Sequence, residues 1–230
     1  MQGKVELSGV NTSKLKVLKN DEINELLVRC KQGDEKAREE LIAGNLQLCI
    51  RDRYRQEMLD GILDFEVARG NWAYTYHSRM AEQFDFILQE LRRNPDSRRA
   101  VIDIRDWRVD CFKDSPACLQ HIQYFIRGGK LHCKVLFRSN DACKASYMNA
   151  FALIMLQNRF AEKLGLPIGS YTHRANSYHV YAKDYPVLEG YVNRIQSGSP
   201  VTYDYEGNWK ELMDSEVESI RASVEELKTR

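Results

Sequence analysis

Cys118 is the residue whose surroundings most invite a chemical reading. It follows Ser115-Pro116-Ala117 and leads into a stretch with the alternation of a β-strand, so its thiol would be presented at a strand end. A cysteine there can act as a nucleophile through its thiolate. It can equally serve as a small buried apolar side chain. Polar groups recur around it in the chain: Arg98-Arg99, Arg138-Ser139-Asn140-Asp141, Asn149 and His179-Val180-Tyr181. Arginine pairs are ordinarily solvated, and a His and a Tyr two apart on a strand can share a face for packing alone. Asn149 is the least ordinary of them, because an amide within an apolar helix costs about 1–3 kcal/mol unless it finds a partner. A ligand is one such partner.

These residues need a scaffold. Ile122, Tyr124 and Ile126 alternate, Gly128-Gly129 turns, and Leu131, Cys133, Val135 and Phe137 alternate again, which predicts a hairpin. Met148 to Phe160 has no polar face and predicts a buried helix ending near Gly165. A further strand is expected through Tyr171 to Tyr181. Upstream, Phe84, Ile87, Leu88 and Leu91 lie on one helical face, closed by Asn94-Pro95-Asp96, and Val101 to Ile104 reads as a strand. Residues 51 to 60 read as charged and irregular. Asn20 and Asp34 are candidate caps for two helices separated by Gly33, giving a helical hairpin over residues 20 to 48. From Trp209, the residues Met213, Val217, Ile220, Val224 and Leu227 form a narrow helical seam.

The chain has 230 residues, 43% of them apolar and 29% charged, with a formal net charge of +1. That suits a globular protein and gives no electrostatic reason to expect nucleic acid or membrane binding. No apolar run approaches the roughly 18 residues of a membrane span. Six cysteines are present, but none form a C-x-x-C pair, so no metal site is expected. The first ten residues lack the apolar core of a signal peptide. A cytoplasmic protein with free thiols is the expectation.

Several motifs then combine. Asn94-Pro95-Asp96-Ser97-Arg98-Arg99, Pro116-Ala117-Cys118, Gln123-Tyr124-Phe125, Gly129-Lys130-Leu131 and Arg138-Ser139-Asn140-Asp141 resemble the catalytic core of thymidylate synthases. Arg98 lies 20 residues before Cys118, Arg138 lies 20 after it, and Asn149 lies 30 before His179, intervals that match that family. The resemblance covers about residues 66 to 185. It implies an α/β (α+β) fold, a thymidylate synthase-like sheet packed with helices and preceded by a small helical segment. It implies methylation of dUMP to dTMP with 5,10-methylenetetrahydrofolate as co-substrate, in a homodimer with shared active sites.

The resemblance also implies roles. Cys118 would add to C6 of the pyrimidine. Arg138 would lower the thiol's pKa and hold the nucleotide phosphate with Ser139, while Arg98 and Arg99 would reach the phosphate in the partner subunit. Asn149 would read the base edge, where its amide favours uracil over cytosine. His179 and Tyr181 would bond the sugar hydroxyl, Asp141 would contact the folate, Tyr74 would assist proton removal from C5, and Gln123 would order the strand beside the nucleophile.

This chain also departs from the family pattern. Leu119 stands where a histidine usually follows the nucleophile, and Ala145-Ser146-Tyr147-Met148-Asn149 replaces a Gly-Leu-Pro-Phe-Asn run. Both changes resemble the shorter branch that includes archaeal synthases and nucleotide hydroxymethylases. The family's usual N-terminal glutamate has only a faint echo in Glu25. Residues 4 to 48, including Gly9 to Leu15 and Ala37 to Leu41, instead resemble the start of the sporulation sigma factor sigma-G. The expected organisation is therefore a sigma-like segment over 1–50, a synthase-like domain over 51–206 and a C-terminal amphipathic helix over 207–230. Two alternatives stay open: a dUMP or dCMP hydroxymethylase, and a non-catalytic fusion whose head binds RNA polymerase or a sigma regulator.

Overall fold

The computed structural model of the protein describes residues 20–44, 46–198 and 205–229. It divides into two compact units, one of residues 1–52 and 204–220 and the other of 53–203 and 221–230. The sigma-like residues 4 to 19 lie outside the described residues.

In the first unit, α1 (Asn20–Lys31) and α2 (Glu35–Gly44) pack on each other. Gly33, at φ 86°, makes the left-handed turn between them. Asp34 then holds the corner. One of its oxygens accepts from the Ala37 amide at 3.0 Å, as the predicted cap requires, and the other accepts Arg29 at 2.8 Å. Leu26, Ala37 and Leu41 are buried.

The helical hairpin ends at Gly44, because a third helix, α3 (Leu46–Asp60), starts there. Residues 51 to 60, expected to be irregular, are thus helical. Their charges are interleaved with Met58 and Leu59, which are buried, and with Tyr54, which packs on the core. Tertiary burial outweighs the weak local pattern.

The second unit holds a four-stranded sheet in the order β1 (Val101–Asp103), β2 (Leu119–Arg127), β3 (Lys130–Phe137) and β5 (Ile168–Ala175). The first three strands are antiparallel, and β5 runs parallel to β3. Gly128 and Gly129 have φ of 56° and 69°, the pair of positive values that a tight twisted hairpin turn demands. The parallel connection is made by α8 (Ala145–Leu164), stopped by Gly165 in a left-handed cap.

One face of the sheet is buried under α8 and α6 (Phe84–Arg93). Tyr124, Leu131, Val135 and Phe137 meet Ile87, Leu91, Leu153 and Phe160 in this core. The Phe160 ring packs on Tyr124 at 5.1 Å and on Phe84 at 5.3 Å.

The strand expected over 171 to 181 is two strands. β5 ends at Ala175, and β6 (Tyr178–His179) pairs in parallel with β4 (Asn140–Asp141) in a separate small sheet. The short helices α4 (Asp64–Ala68), α5 (Tyr76–Met80) and α7 (Trp107–Asp110) precede β2 in the chain, and α9 (Tyr185–Gln196) follows β6. The C-terminal α10 (Lys210–Thr229) has Met213 and Val224 of the predicted seam buried. No described helix is long and apolar enough to cross a membrane.

Candidate active site

Cys118 and Arg138 meet where the hairpin strands separate. The last paired residues are Leu119 and Phe137, and just beyond them the Arg138 amide donates to the Cys118 carbonyl at 2.8 Å. The register slips between Leu119 and His121, so Gln120 forms a bulge whose side chain turns back to the Ala117 carbonyl at 2.8 Å. Bulges of this kind re-aim neighbouring side chains. The Arg138 guanidinium forks onto the same segment, donating to the Ala117 carbonyl at 3.1 Å and the Pro116 carbonyl at 2.8 Å. The residues before the thiol are thus clamped from both strands. Cys118 itself is half-buried against the core.

Two tyrosines flank this point. Tyr76 accepts from the Leu119 amide at 3.3 Å. Tyr74 lies under the Arg79 guanidinium, 3.9 Å from the ring centroid. Arg79 is fixed by two bonds to buried Asp110, at 2.7 and 2.9 Å, which hold that carboxyl below its usual range. Burial raises the phenol pKa of Tyr74. It therefore stays protonated at neutral pH and acts as a hydrogen-bonding group rather than a phenolate.

The small β4–β6 sheet brings the rest of the polar set together. Asn140 faces Tyr178 and Asp141 faces His179, which draws Ser139 within 3.5 Å of the His179 ring. His179 packs edge-on against exposed Tyr181 at 5.0 Å. One oxygen of Asp141 accepts the Cys143 amide at 2.9 Å and the Lys144 amide at 3.2 Å, shaping the entry to α8.

Asn149 is 6% exposed, and its partners are protein groups: Tyr54 donates to its oxygen at 2.5 Å, and its nitrogen donates to Asn140 at 3.2 Å. Sequence reading missed Tyr54 because it took residues 51 to 60 as irregular. It also missed Glu57, one helical turn further on. Burial drives the Glu57 carboxyl up to about 7. Glu25, by contrast, is exposed on α1.

Arg98 and Arg99 stand apart from this cluster. Gln123 donates to the Arg98 carbonyl at 3.0 Å, and Ser97 both accepts the Arg99 amide and donates to buried Glu90 at 2.7 Å. The loop is tied down while the two guanidinium side chains are exposed. Gln123 is five residues along β2 from Cys118, about 17 Å of strand. Gln123 thus anchors the arginine loop rather than the thiol.

A family model described as thymidylate synthase matches residues 16–226. This chain belongs to the thymidylate synthase family. Among its relatives, a putative thymidylate synthase of Methanocaldococcus jannaschii is 36% identical over 157 residues, covering 61% of this chain and 67% of the relative. The thymidylate synthase of Bacillus mojavensis is 31% identical over 158 residues, covering 66% of this chain and 54% of the relative. The chain thus spans about half the length of that Bacillus relative. The thermostable thymidylate synthase A of Bacillus subtilis, a solved structure, aligns with 30% identity and a TM-score of 0.44, over 46% of this chain and 38% of its own. The family match begins at residue 16, so it runs through much of the segment expected to be sigma-like.

Proposed function

We propose that the protein transfers a one-carbon unit from 5,10-methylenetetrahydrofolate to C5 of dUMP, giving dTMP. The observation that carries this reading is the clustering, at one end of the sheet, of the clamped Cys118 and Arg138 with Ser139, His179 and the buried amide of Asn149.

Each group has a task suited to its chemistry. The Cys118 thiolate adds to C6 of the base, forming a C–S bond and moving electron density onto C5, which then bonds to the incoming carbon. Arg138 and Ser139 offer charge-assisted and hydroxyl hydrogen bonds to the phosphate. His179 and Tyr181 meet the sugar. Asn149 gives a donor and an acceptor to the O4 and N3–H edge of uracil. Protonated Tyr74 orders the water that takes the C5 proton.

The folate supplies the carbon at the methylene level and the hydride that reduces it. Loss of the C5 proton breaks the bond between that carbon and the folate nitrogen, and hydride delivery to the carbon restores the ring double bond and expels the Cys118 thiolate from C6. The acceptor the folate would meet is present in Asp141. That carboxylate spends one oxygen on the Cys143 and Lys144 amides, and its second has no protein donor among the described residues. Arg98 and Arg99, remote from Cys118 in their own chain, serve the phosphate site of a second copy.

Incubation with 5-fluoro-dUMP and methylenetetrahydrofolate should give a covalent ternary adduct by intact mass, and Cys118→Ser should abolish it while keeping the fold. An undiminished adduct in that variant would remove Cys118 from the mechanism. Product analysis separates the two chemistries: dTMP with dihydrofolate is expected, whereas 5-hydroxymethyl-dUMP with tetrahydrofolate would make the protein a hydroxymethylase.

A further inference from the structure

Behind Asn149 runs a chain of hydrogen bonds. Tyr54 bonds Asn149 at 2.5 Å, Asn149 bonds Asn140 at 3.2 Å, Asn140 bonds Nε2 of His173 at 2.7 Å, and Nδ1 of His173 bonds the Tyr171 hydroxyl at 2.9 Å. Asn140 and Asn149 are 3% and 6% exposed, so water is a poor substitute for these partners. The His173 ring is held flat on Phe137, with centroids 4.8 Å apart and planes 10° from parallel. The five residues come from α3, β4, α8 and β5, which no local sequence pattern would bring together.

The chain has a direction. With the Asn140 nitrogen turned toward His173, Nε2 accepts and Nδ1 carries the proton. Burial lowers the His173 pKa, which favours a neutral ring. The Asn140 oxygen then faces Asn149 and can accept only from its nitrogen, leaving the Asn149 oxygen for the Tyr54 hydroxyl. Turning the Asn149 amide over would require Asn140 to turn and His173 to exchange tautomers as well. In the observed sense, Asn149 keeps one N–H and one oxygen lone pair uncommitted, by the inventory of a primary amide.

We infer that His173, acting through Asn140, is a positioning residue that fixes which way the Asn149 amide faces the pyrimidine and so sets its preference for uracil over cytosine. This rests on the reading of Asn149 as the base-reading group. His173 touches neither substrate nor nucleophile in this role. It acts by coupling the Asn149 amide to Asn140 and to its own tautomer, so that the three must turn together, and a donor–acceptor edge held in this way discriminates between bases better than one free to turn over.

The test is the ratio of dissociation constants for dCMP and dUMP, measured by calorimetry on the full chain. His173→Phe keeps a flat ring on Phe137 but removes the acceptor for Asn140, and should lower the ratio at least tenfold, chiefly by weakening dUMP. His173→Gln restores a side-chain acceptor and should recover most of the ratio. Asn140→Leu should reproduce the loss, and serves if His173→Phe does not fold. An unchanged ratio in folded His173→Phe or Asn140→Leu, with the wild type preferring dUMP, would overturn this inference alone. Wild-type protein that binds neither nucleotide, or prefers dCMP, would overturn the reading of Asn149 and this inference with it.

Discussion

On the proposed reading, Arg138 has two jobs for one planar group. Its guanidinium holds the Pro116 and Ala117 carbonyls in place, and the geometry leaves its remaining N–H groups for a phosphate. Lysine offers one point charge and no fork, so Arg138→Lys should loosen the segment that presents Cys118. We expect adduct formation with 5-fluoro-dUMP to slow by about 10- to 100-fold, with Tm little changed, since Arg138 is exposed and the loss is one of orientation. An unaltered rate would show that the clamp is dispensable.

Glu57 gives a second residue-level prediction. Its carboxyl is pushed from an ordinary 4.5 to about 7 by burial, so between those values the folded protein holds a proton that the unfolded chain has released. Stability from this group therefore falls as pH rises from 4.5, and the loss is complete above about 7. Glu57→Gln should remove that slope, read as the difference in urea midpoint between about pH 5 and about pH 8. A variant with the wild-type slope would assign it to other groups.

Among the elements, the corner between α3 and α4 leaves little room for change. Gly61 has φ of 64°, and a Cβ there would collide with the His77 ring and the Asp64 carboxylate, which are themselves bonded at 2.6 Å. Thr75 also bonds Asp64, and it caps α5 through the Ser78 amide at 2.9 Å. Gly61→Ala strains the backbone and displaces this junction. It should cost about 1–3 kcal/mol, seen as a lowered Tm; a neutral substitution would mean the corner relaxes freely.

The N-terminal helices make a contrasting case. Removing residues 1–44 leaves α3 whole, with Tyr54 on it, and holds none of the site residues. Affinity for dUMP should stay within tenfold, or about 1.4 kcal/mol. A larger loss would give the head a part in the nucleotide site.

For the whole molecule, the proposed role of Arg98 and Arg99 in a partner's site can be tested by complementation. In a shared-site dimer, a heterodimer of Cys118→Ser with the Arg98→Ala/Arg99→Ala double variant carries one site spoiled twice and one left intact. Mixing the two inactive proteins should restore about a quarter of wild-type activity at full exchange. Verified heterodimers without activity would place the arginines in service of their own chain.

Much of this was legible in the order of the residues. The hairpin with its Gly128-Gly129 turn, the buried helix stopped by Gly165 and the amphipathic Phe84–Arg93 helix each follow from a local period and a local stop signal, which tertiary packing only had to accept. The five motifs around Cys118 likewise pointed to the family that the comparison then matched. What the order of residues could not show depends on contacts distant in sequence. Residues 51 to 60 become a helix because Met58 and Leu59 find a core, not because their own pattern requires it. Tyr54 reaches Asn149 across 95 positions, and His173 reaches Asn140 across 33. A period identifies a face, but only the folded chain decides which buried amide meets which imidazole, because hydrogen bonds are directional and short while sequence separation is neither.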